Sequence, residues 1–178
     1  MNKKLLMLVG IAGSGKSTWA KRYMKNQERQ GKNIAKVSRD EIRFSLVKEN
    51  EEYFAKETQV FNSYIENIRK YLEDNITEII VADATHISVN ARKKVLKKLN
   101  LSNIIVVAVV FETPVSRCIE QNELREGREY VPRIAIYNMR KHFTIPTYEE
   151  GFNKIIRINA SLDRNEVNKD TYKKEMIL

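Results

Sequence analysis

The chain has 178 residues, of which 42% are hydrophobic and 31% charged, which is enough apolar sequence for one buried core. No apolar run reaches the roughly 18 residues that cross a membrane, and the first apolar patch is too short for a signal peptide, so we expect a cytoplasmic protein without a membrane segment. The formal net charge of +9 favours an anionic partner such as nucleic acid, and the single cysteine, Cys118, excludes an internal disulfide.

Apolar runs and segments with helical spacing alternate along the chain. The apolar runs predict five strands, at residues 5–9, 33–38, 78–83, 103–111 and 153–158. Helices are predicted at residues 16–30, 51–73, 88–99, 114–125 and 132–142. The third and fourth runs are rich in Ile and Val without alternation, as in strands covered on both faces by helices. We therefore expect a single α/β domain over residues 1–178 with a mostly parallel sheet, and a final helix in residues 165–178.

The first apolar run leads into "GIAGSGKST", residues 10–18. Gly10, Gly15, Lys16 and Ser17 match the pattern G-x-x-x-x-G-K-[ST] completely, and a predicted helix follows the loop. Glycines allow consecutive backbone N–H groups to surround a phosphate, the lysine reaches the terminal phosphates, and the serine hydroxyl binds magnesium. Thr18 is expected to support the phosphates as well. The motif predicts a nucleoside triphosphate site but does not identify the phosphate acceptor.

Charged residues follow the second and third predicted strands, where ligands bind in open α/β sheets. If Asp40 opens a helix, Asp40 and Arg43 project from one face, the carboxylate able to accept a proton and the guanidinium able to hold a substrate phosphate. The alternative is that Asp40 only caps that helix. Asp83 ends the third run, where an acid often lies near magnesium, and Ala84 after it disfavours a hydrolytic ATPase. His86 either contacts the substrate or is satisfied by neighbouring groups, and we expect the second.

Arginines cluster around the turn between the helices predicted at residues 114–125 and 132–142. They are Arg117, Arg125, Arg128 and Arg133. Positive charge on a transferring phosphoryl group favours its transfer, so we interpret residues 114–142 as a lid over the triphosphate. Another basic stretch, residues 90–100, is either a solvated helix face or a contact for a polyanion.

Four segments in this order resemble the signatures of the polynucleotide 5′-hydroxyl kinases of phage and bacterial nucleic-acid repair. They are "GIAGSGKSTWA", "SRDEIR", "IVADATHISVNARK" and "VVFETPVSRCIEQNELREGREYVP", and the resemblance covers about residues 5–145. It implies a P-loop kinase fold with strand order 2-3-1-4-5. It also implies Mg²⁺-dependent transfer of the γ-phosphate of ATP, or of another nucleoside triphosphate, to the 5′-OH end of DNA or RNA, with Lys16 and Ser17 serving the triphosphate and the metal.

The resemblance also implies roles for residues outside the first loop. By motif position, Asp40 is the general base, Arg43 holds a substrate phosphate, Asp83 belongs to the acceptor pocket and Arg125 contacts the donor phosphates. The family usually has another arginine four residues before the position of Arg125, whereas this chain has Gln121. The predicted nucleotide-binding residues are Gly10, Gly13, Ser14, Gly15, Lys16, Ser17, Thr18, Arg125 and Arg128.

Two other functions share the first motif. One is a kinase of a small molecule or nucleoside, because P-loop kinases of tRNA-linked serine, nucleotide sugars and antibiotics have the same loop. The other is a nucleotide-binding regulatory module that transfers no phosphate. The sequence has no D-x-D-x-T phosphatase signature and no room for a ligase, so a repair kinase of this kind is expected to depend on a separate phosphatase or ligase.

Overall fold

The computed structural model of the chain describes residues 3–158. It contains one parallel sheet built from β1 (Lys4–Val9), β2 (Ile34–Ser38), β3 (Ile79–Asp83), β4 (Ile105–Phe111) and β5 (Lys154–Ile158). The strand order is β2-β3-β1-β4-β5, and every neighbouring pair is parallel. The α/β class and the P-loop kinase topology predicted from the sequence are thereby confirmed.

Helices connect the strands. They are α1 (Lys16–Arg29), α2 (Arg39–Leu46), α3 (Glu57–Glu73), α4 (Val89–Lys98), α5 (Val115–Glu123) and α6 (Arg133–Lys141), with short 3-10 turns at Gly127–Glu129 and Tyr148–Glu150. Within residues 3–158, none of these helices combines the length and the hydropathy needed to cross a lipid bilayer. The helix expected in residues 165–178 lies outside the described residues.

The sheet is covered on both faces, as the unbroken apolar strands predict. Leu5, Met7 and Val9 of β1 pack with residues of α3 and α4, whereas the intervening Leu6 and Leu8 pack with residues of α1. Successive side chains of a strand point to opposite faces, so each strand contributes to both cores. The central strands need no polar face, which explains why alternation is absent from their sequence.

The segment before α3 differs from the prediction. A helix was predicted from residue 51, but α3 begins at Glu57, and residues 51–56 form turns and irregular backbone. The hydrophobic side chains of Tyr53 and Phe54 fit the helical spacing in the sequence, yet they remain at the surface. They therefore supply no core contact that would extend the helix toward its N-terminus.

The carboxyl ends of β1, β2 and β3 bring the predicted motifs together. Ser38, the last residue of β2, pairs with Asp83, the last residue of β3. The backbone N–H of Gly10, just after β1, donates to the carbonyl of Thr85 at 2.9 Å. Asp40 lies two residues after Ser38, so the glycine loop and both acids lie at one edge of the sheet.

Candidate active site

The glycine loop has the backbone geometry of a phosphate cradle. Gly13 and Gly15 have φ angles of +75° and +89°, in the left-handed region that favours glycine. A Cβ on Gly13 would lie 2.1 Å from the carbonyl oxygen of Cys118 in α5, so a side chain there would clash with backbone. Around Gly15 the space is open to 4 Å. The loop is therefore packed against α5 on one side and open on the other, where the N-terminus of α1 could receive an anion.

Lys16 is buried and folded back onto the loop that precedes it. Its Nζ donates to the carbonyls of Gly10 at 2.9 Å and Ile11 at 2.7 Å, and to Ser14 Oγ at 3.4 Å. Burial lowers the pKa of Lys16 to about 8, against an opposing effect of nearby carboxylates, of which Asp83 is the largest. Negative charge near this buried amine stabilises its protonated form, and a bound triphosphate would add such charge.

Ser17 and Asp83 meet beside the lysine. Ser17 Oγ donates to Asp83 Oδ2 at 3.1 Å, and Asp83 is only 6% exposed. Burial raises the pKa of Asp83, although Lys16 and the Ser17 hydrogen bond oppose the shift. The resemblance implied that Asp83 belongs to the acceptor pocket, but its side chain contacts the hydroxyl predicted to bind the metal.

This pair of oxygen donors fits Mg²⁺. Within residues 3–158 there is no group of three or more His, Cys, Asp or Glu side chains that could hold a metal ion by itself. Mg²⁺ in kinases is bound through one or two protein oxygens together with phosphates and water, so such a group is not required. Ser17 and Asp83 can supply the protein ligands, with Thr18 exposed beside them in the first turn of α1.

Asp40 is the second residue of α2 and does not cap it. The N-cap is Ser38, whose hydroxyl accepts from the backbone N–H of Glu41 at 3.3 Å, so the capping interpretation of Asp40 is wrong. The side chain of Asp40 is 64% exposed. Its Oδ1 accepts from Arg43 Nη1 at 2.7 Å and from the hydroxyl of Tyr53 at 3.2 Å. The structure thus leaves an accessible carboxylate held in a defined orientation.

Arg43 is buried and already engaged within the protein. Its Nη2 donates to Glu57 Oε2 at 2.7 Å, and its guanidinium lies 4.6 Å from the ring centroid of Tyr53. Burial acts to lower the pKa of Arg43, but the bond to Glu57 and the nearby Tyr53 and Asp40 outweigh it, so the pKa is raised. Nε of Arg43 is buried without a hydrogen-bond partner in the described part of the chain.

Glu57 is a site residue that the sequence analysis missed. It is the first residue of α3 and forms ion pairs with both Arg39 and Arg43 of α2. The sequence predicts only that Glu57 lies in a helix. Its ion pairs with the arginines depend on how α2 packs against α3, which the sequence does not indicate. Glu57 neutralises arginines that would otherwise be available to an anionic substrate.

The predicted lid is a pair of helices joined by an ordered turn. Buried Asn122, near the end of α5, donates through Nδ2 to the carbonyl of Val131 at 2.7 Å and accepts from its N–H at 3.0 Å. Arg133 forms an ion pair with Glu123 across the base of the turn. Asn122 was not singled out from the sequence, since its role depends on the closed turn.

Two of the lid arginines are directed toward the other motifs. Arg125 Nη1 donates to the carbonyl of Glu129 at 3.5 Å, and its positive charge contributes to lowering the pKa of Lys16. The guanidinium of Arg128 lies 4.9 Å from the ring centroid of Phe44 in α2. The lid therefore reaches from the glycine loop to the helix that carries Asp40.

His86 is a structural residue, as expected from the sequence. Its Nδ1 donates to the carbonyl of Leu8 at 2.8 Å, and its Nε2 accepts from the hydroxyl of Tyr64 at 3.2 Å. Burial lowers the pKa of His86 to about 4, which fixes the neutral ring that this pairing requires. It ties the loop after β3 to β1.

The basic stretch at residues 90–100 contributes one residue, Arg92, to a buried ion pair with Glu150. Arg92 is fully buried and donates from Nε and Nη2 to Glu150 at 2.7 and 2.8 Å, and from Nη1 to the carbonyl of His86 at 3.0 Å. The neighbouring Lys93 and Lys97 are exposed. This helix thus presents lysines to solvent while its arginine joins α4 to the segment that leads to β5.

A protein-family model described as an AAA domain matches residues 5–146, which is most of the chain. The match spans the glycine loop, both acids and the lid, and the resemblance noted from the sequence is confirmed at the level of family and fold. No curated protein sequence matches the chain.

Solved structures similar to this chain include kinases with different acceptors. A chain of the Pnkp1/Rnl/Hen1 complex is 25% identical with a TM-score of 0.55, over 66% of this chain and 38% of that one, so the chain spans less than half of its length. A fungal RNA kinase is 14% identical with a TM-score of 0.61, over 98% and 82% of the two chains. A sugar kinase from Janibacter sp. is 15% identical with a TM-score of 0.59, over 97% and 94%. The fold is common to RNA and sugar kinases.

Proposed function

We propose that this chain, which belongs to the AAA domain family and has a P-loop kinase fold, transfers the γ-phosphate of ATP to the 5′-hydroxyl end of a DNA or RNA strand. The observation that carries the proposal is Asp40, an exposed carboxylate oriented by Arg43 and Tyr53 at the sheet edge that carries the glycine loop. A carboxylate in this position can take the proton of an attacking hydroxyl. The net charge of +9 and the ordered motifs favour an acceptor attached to a polyanion.

The donor half of the site consists of the glycine loop, Lys16 and the lid. Backbone N–H groups at the start of α1 bind the phosphates, and Lys16 exchanges its loop carbonyls for phosphate oxygens. Arg125 adds a positive charge from the lid side. Mg²⁺, with Ser17 and Asp83 as its protein ligands, supplies further charge neutralisation on the β- and γ-phosphates when bound.

The acceptor half is centred on Asp40. In the proposed reaction the 5′-oxygen forms a bond to the γ-phosphorus while Asp40 takes the hydroxyl proton. The bond from that phosphorus to the bridging oxygen breaks, and ADP leaves with the electron pair. Because Asp40 is 64% exposed, it can return the proton to solvent after transfer.

A small-molecule acceptor is the second candidate, and one observation favours it. Glu57 already neutralises Arg43, which reduces the positive charge offered to a substrate phosphate. A phosphodiester would have to compete with Glu57 for Arg43, whereas an acceptor without a phosphate would not. The two candidates share the donor half and the role of Asp40, so they differ only in the acceptor.

One labelling experiment distinguishes a polynucleotide acceptor from a small-molecule acceptor. The purified chain is incubated with γ-labelled ATP and Mg²⁺, and with 5′-OH DNA, 5′-OH RNA or a panel of nucleosides and sugars. Oligonucleotides that already carry a 5′-phosphate serve as matched controls. We expect label on the 5′-OH strands only. Label on the small molecules alone would replace the proposal with the second candidate, and no label on any acceptor would reject kinase activity.

Asp40→Asn tests the role of the carboxylate in the same assay. We expect transfer to be lost while ATP binding is retained. Glu41→Gln is the matched control, because Glu41 is the neighbouring exposed carboxylate of α2 and pairs with Lys36 instead. Equal activity of Asp40→Asn and wild type would contradict the assignment of the general base.

A further inference from the structure

Three aromatic side chains contact one another next to Asp40 and are named here the aromatic ledge. They are Tyr53, which bonds Asp40, Phe54 beside it between α2 and α3, and Phe44 of α2. The rings of Tyr53 and Phe54 are 4.9 Å apart at 86°, and those of Phe44 and Tyr53 are 6.4 Å apart at 70°. Phe54 is 67% exposed and Tyr53 is 36% exposed. The ledge thus presents apolar ring surface to solvent at the acceptor side of the site.

The ledge is fixed relative to the carboxylate. The Tyr53 hydroxyl donates to Asp40 Oδ1 at 3.2 Å and also contacts Arg43 Nη1 at 3.2 Å. The Arg43 guanidinium lies 4.6 Å from the ring centroid of Tyr53 and 5.5 Å from that of Phe54. The ring surface of the ledge therefore begins at the residue that bonds Asp40 and continues onto Phe54.

Positive charge borders the ledge on the lid side. The guanidinium of Arg128 lies 4.9 Å from the ring centroid of Phe44, whereas Arg43, which lies against Tyr53 and Phe54, is buried and paired with Asp40 and Glu57. Exposed rings with adjacent guanidinium groups are the combination that binds single-stranded nucleic acid, because each base has a face that stacks and each link carries a negative charge.

We propose that the aromatic ledge binds the 5′-terminal nucleobase of the acceptor strand, with Phe54 as its main stacking surface. The inference rests on the proposed function and specifies how the same site holds its acceptor. Every base has an aromatic face that can stack on a ring, and stacking does not depend on the hydrogen-bonding groups of the base. The ledge therefore accepts any of the four bases. It holds the terminal sugar so that its 5′-oxygen lies at Asp40.

The test compares two acceptors that differ only in the terminal base. One is a 5′-OH oligonucleotide of natural sequence, and the other carries an abasic sugar at its 5′ end. For Phe54→Ala we expect the KM for the natural strand to rise about 5- to 150-fold, the range expected for loss of one base–aromatic stack. The KM for the abasic strand should not change, and Phe54→Trp should retain the wild-type values.

Ile76→Ala is the matched control. Ile76 is 70% exposed and lies before the amino end of β3, at the sheet edge opposite the site. We expect it to leave the KM for both strands unchanged. Equal melting temperatures of the variants would show that truncation at Phe54 does not act through folding.

The outcomes separate the inference from the proposed function. If wild type phosphorylates both strands and Phe54→Ala leaves the KM for the natural strand unchanged, the ledge assignment is overturned while the kinase proposal stands. The assignment also fails if the KM for both strands rises equally, since stacking on a terminal base is then not what was lost. If wild type phosphorylates neither strand, the proposed function itself fails.

Discussion

The hydroxyl of Tyr53 and the carboxylate of Asp40 are joined by a hydrogen bond of 3.2 Å, in which the hydroxyl donates to Oδ1. Burial raises the pKa of Tyr53, so the phenol keeps the proton that it donates. Arg43 donates to the same oxygen at 2.7 Å. The direction of the proposed general base is therefore set by two donors from the segment around α2.

Tyr53→Phe removes the hydroxyl and keeps the ring. Loss of one hydrogen bond costs about 0.5–1.5 kcal/mol, so we expect kcat to fall roughly 2- to 12-fold. The KM for a 5′-OH oligonucleotide should stay constant, because the aromatic ledge is intact. Steady-state kinetics measure both values, with Tyr137→Phe as the control, because Tyr137 is an exposed tyrosine of α6. A raised KM with unchanged kcat would show that the hydroxyl binds the strand and does not orient Asp40.

Lys16 predicts a pH dependence of nucleotide binding. Its pKa is lowered to about 8 by burial, so the free protein loses this charge as the pH rises above 8. We expect the affinity for ATP to fall above pH 8, by about tenfold per pH unit at most. Calorimetric titration between pH 7 and 9.5 measures this, and Lys16→Arg should be insensitive over that range. The prediction is wrong if the affinity of the wild-type protein for ATP stays constant up to pH 9.5.

The same group also predicts a change in stability with the opposite sign. The pKa of Lys16 in the folded protein, about 8, is below the 10.5 of an ordinary lysine. Between these values the unfolded chain binds the proton more strongly, so the contribution of Lys16 to the free energy of unfolding rises with pH. Below pH 8 both states are protonated and the contribution is constant. Urea unfolding of wild type and of Lys16→Met between pH 8 and 10.5 measures this contribution as the difference between their free energies of unfolding.

Glu150→Ala should destabilise the fold strongly. It leaves the fully buried Arg92 without its carboxylate, and breaking a buried pair in this way costs about 3–5 kcal/mol. Glu112→Ala is the control, because its partner Arg157 is largely exposed and such pairs contribute about 0–1 kcal/mol. Urea unfolding should show the difference in midpoint. A similar small loss for both variants would mean that solvent reaches Arg92.

The two glycines of the loop should respond differently to alanine. Both have positive φ, which costs an alanine roughly 1–2 kcal/mol. At Gly13 the new methyl would also lie 2.1 Å from the Cys118 carbonyl oxygen, whereas at Gly15 it meets nothing within 4 Å. Gly13→Ala should therefore have the lower melting temperature in thermal unfolding. Equal melting temperatures would show that α5 moves aside without cost.

The fold was predictable from local sequence, and so was the glycine loop that the proposal makes the donor half of the site. Gly10, Lys16 and Ser17 lie within eight residues of each other in the sequence, and their chemistry follows from that spacing and from the flanking strand and helix. Asp40 and Asp83 were predictable for a related reason, since parallel strands bring their carboxyl ends to one edge.

Contacts between distant segments were not predictable. Arg92 and Glu150 are far apart in the chain, and nothing in either segment indicates the other. Glu57 was hidden in a predicted helix, because its effect on Arg43 depends on the packing of α2 against α3. The structure also changes the interpretation of Arg43, from a free substrate cation to one already paired within the protein.

The backbone of Gly13 lies so close to the Cys118 carbonyl that no side chain fits between them, which limits how the proposed kinase can open. Thr113, just before α5, also donates to the carbonyl of Ser14 at 2.9 Å, so the loop and the first turns of α5 form one rigid unit. If the proposed kinase function holds, the segment that moves to release ADP lies beyond Cys118, in the tip that carries Arg125. We expect amide hydrogen exchange to be fast in that tip and slow at the start of α5, as it would be if Arg125 moves in each proposed turnover while the glycine loop keeps its shape.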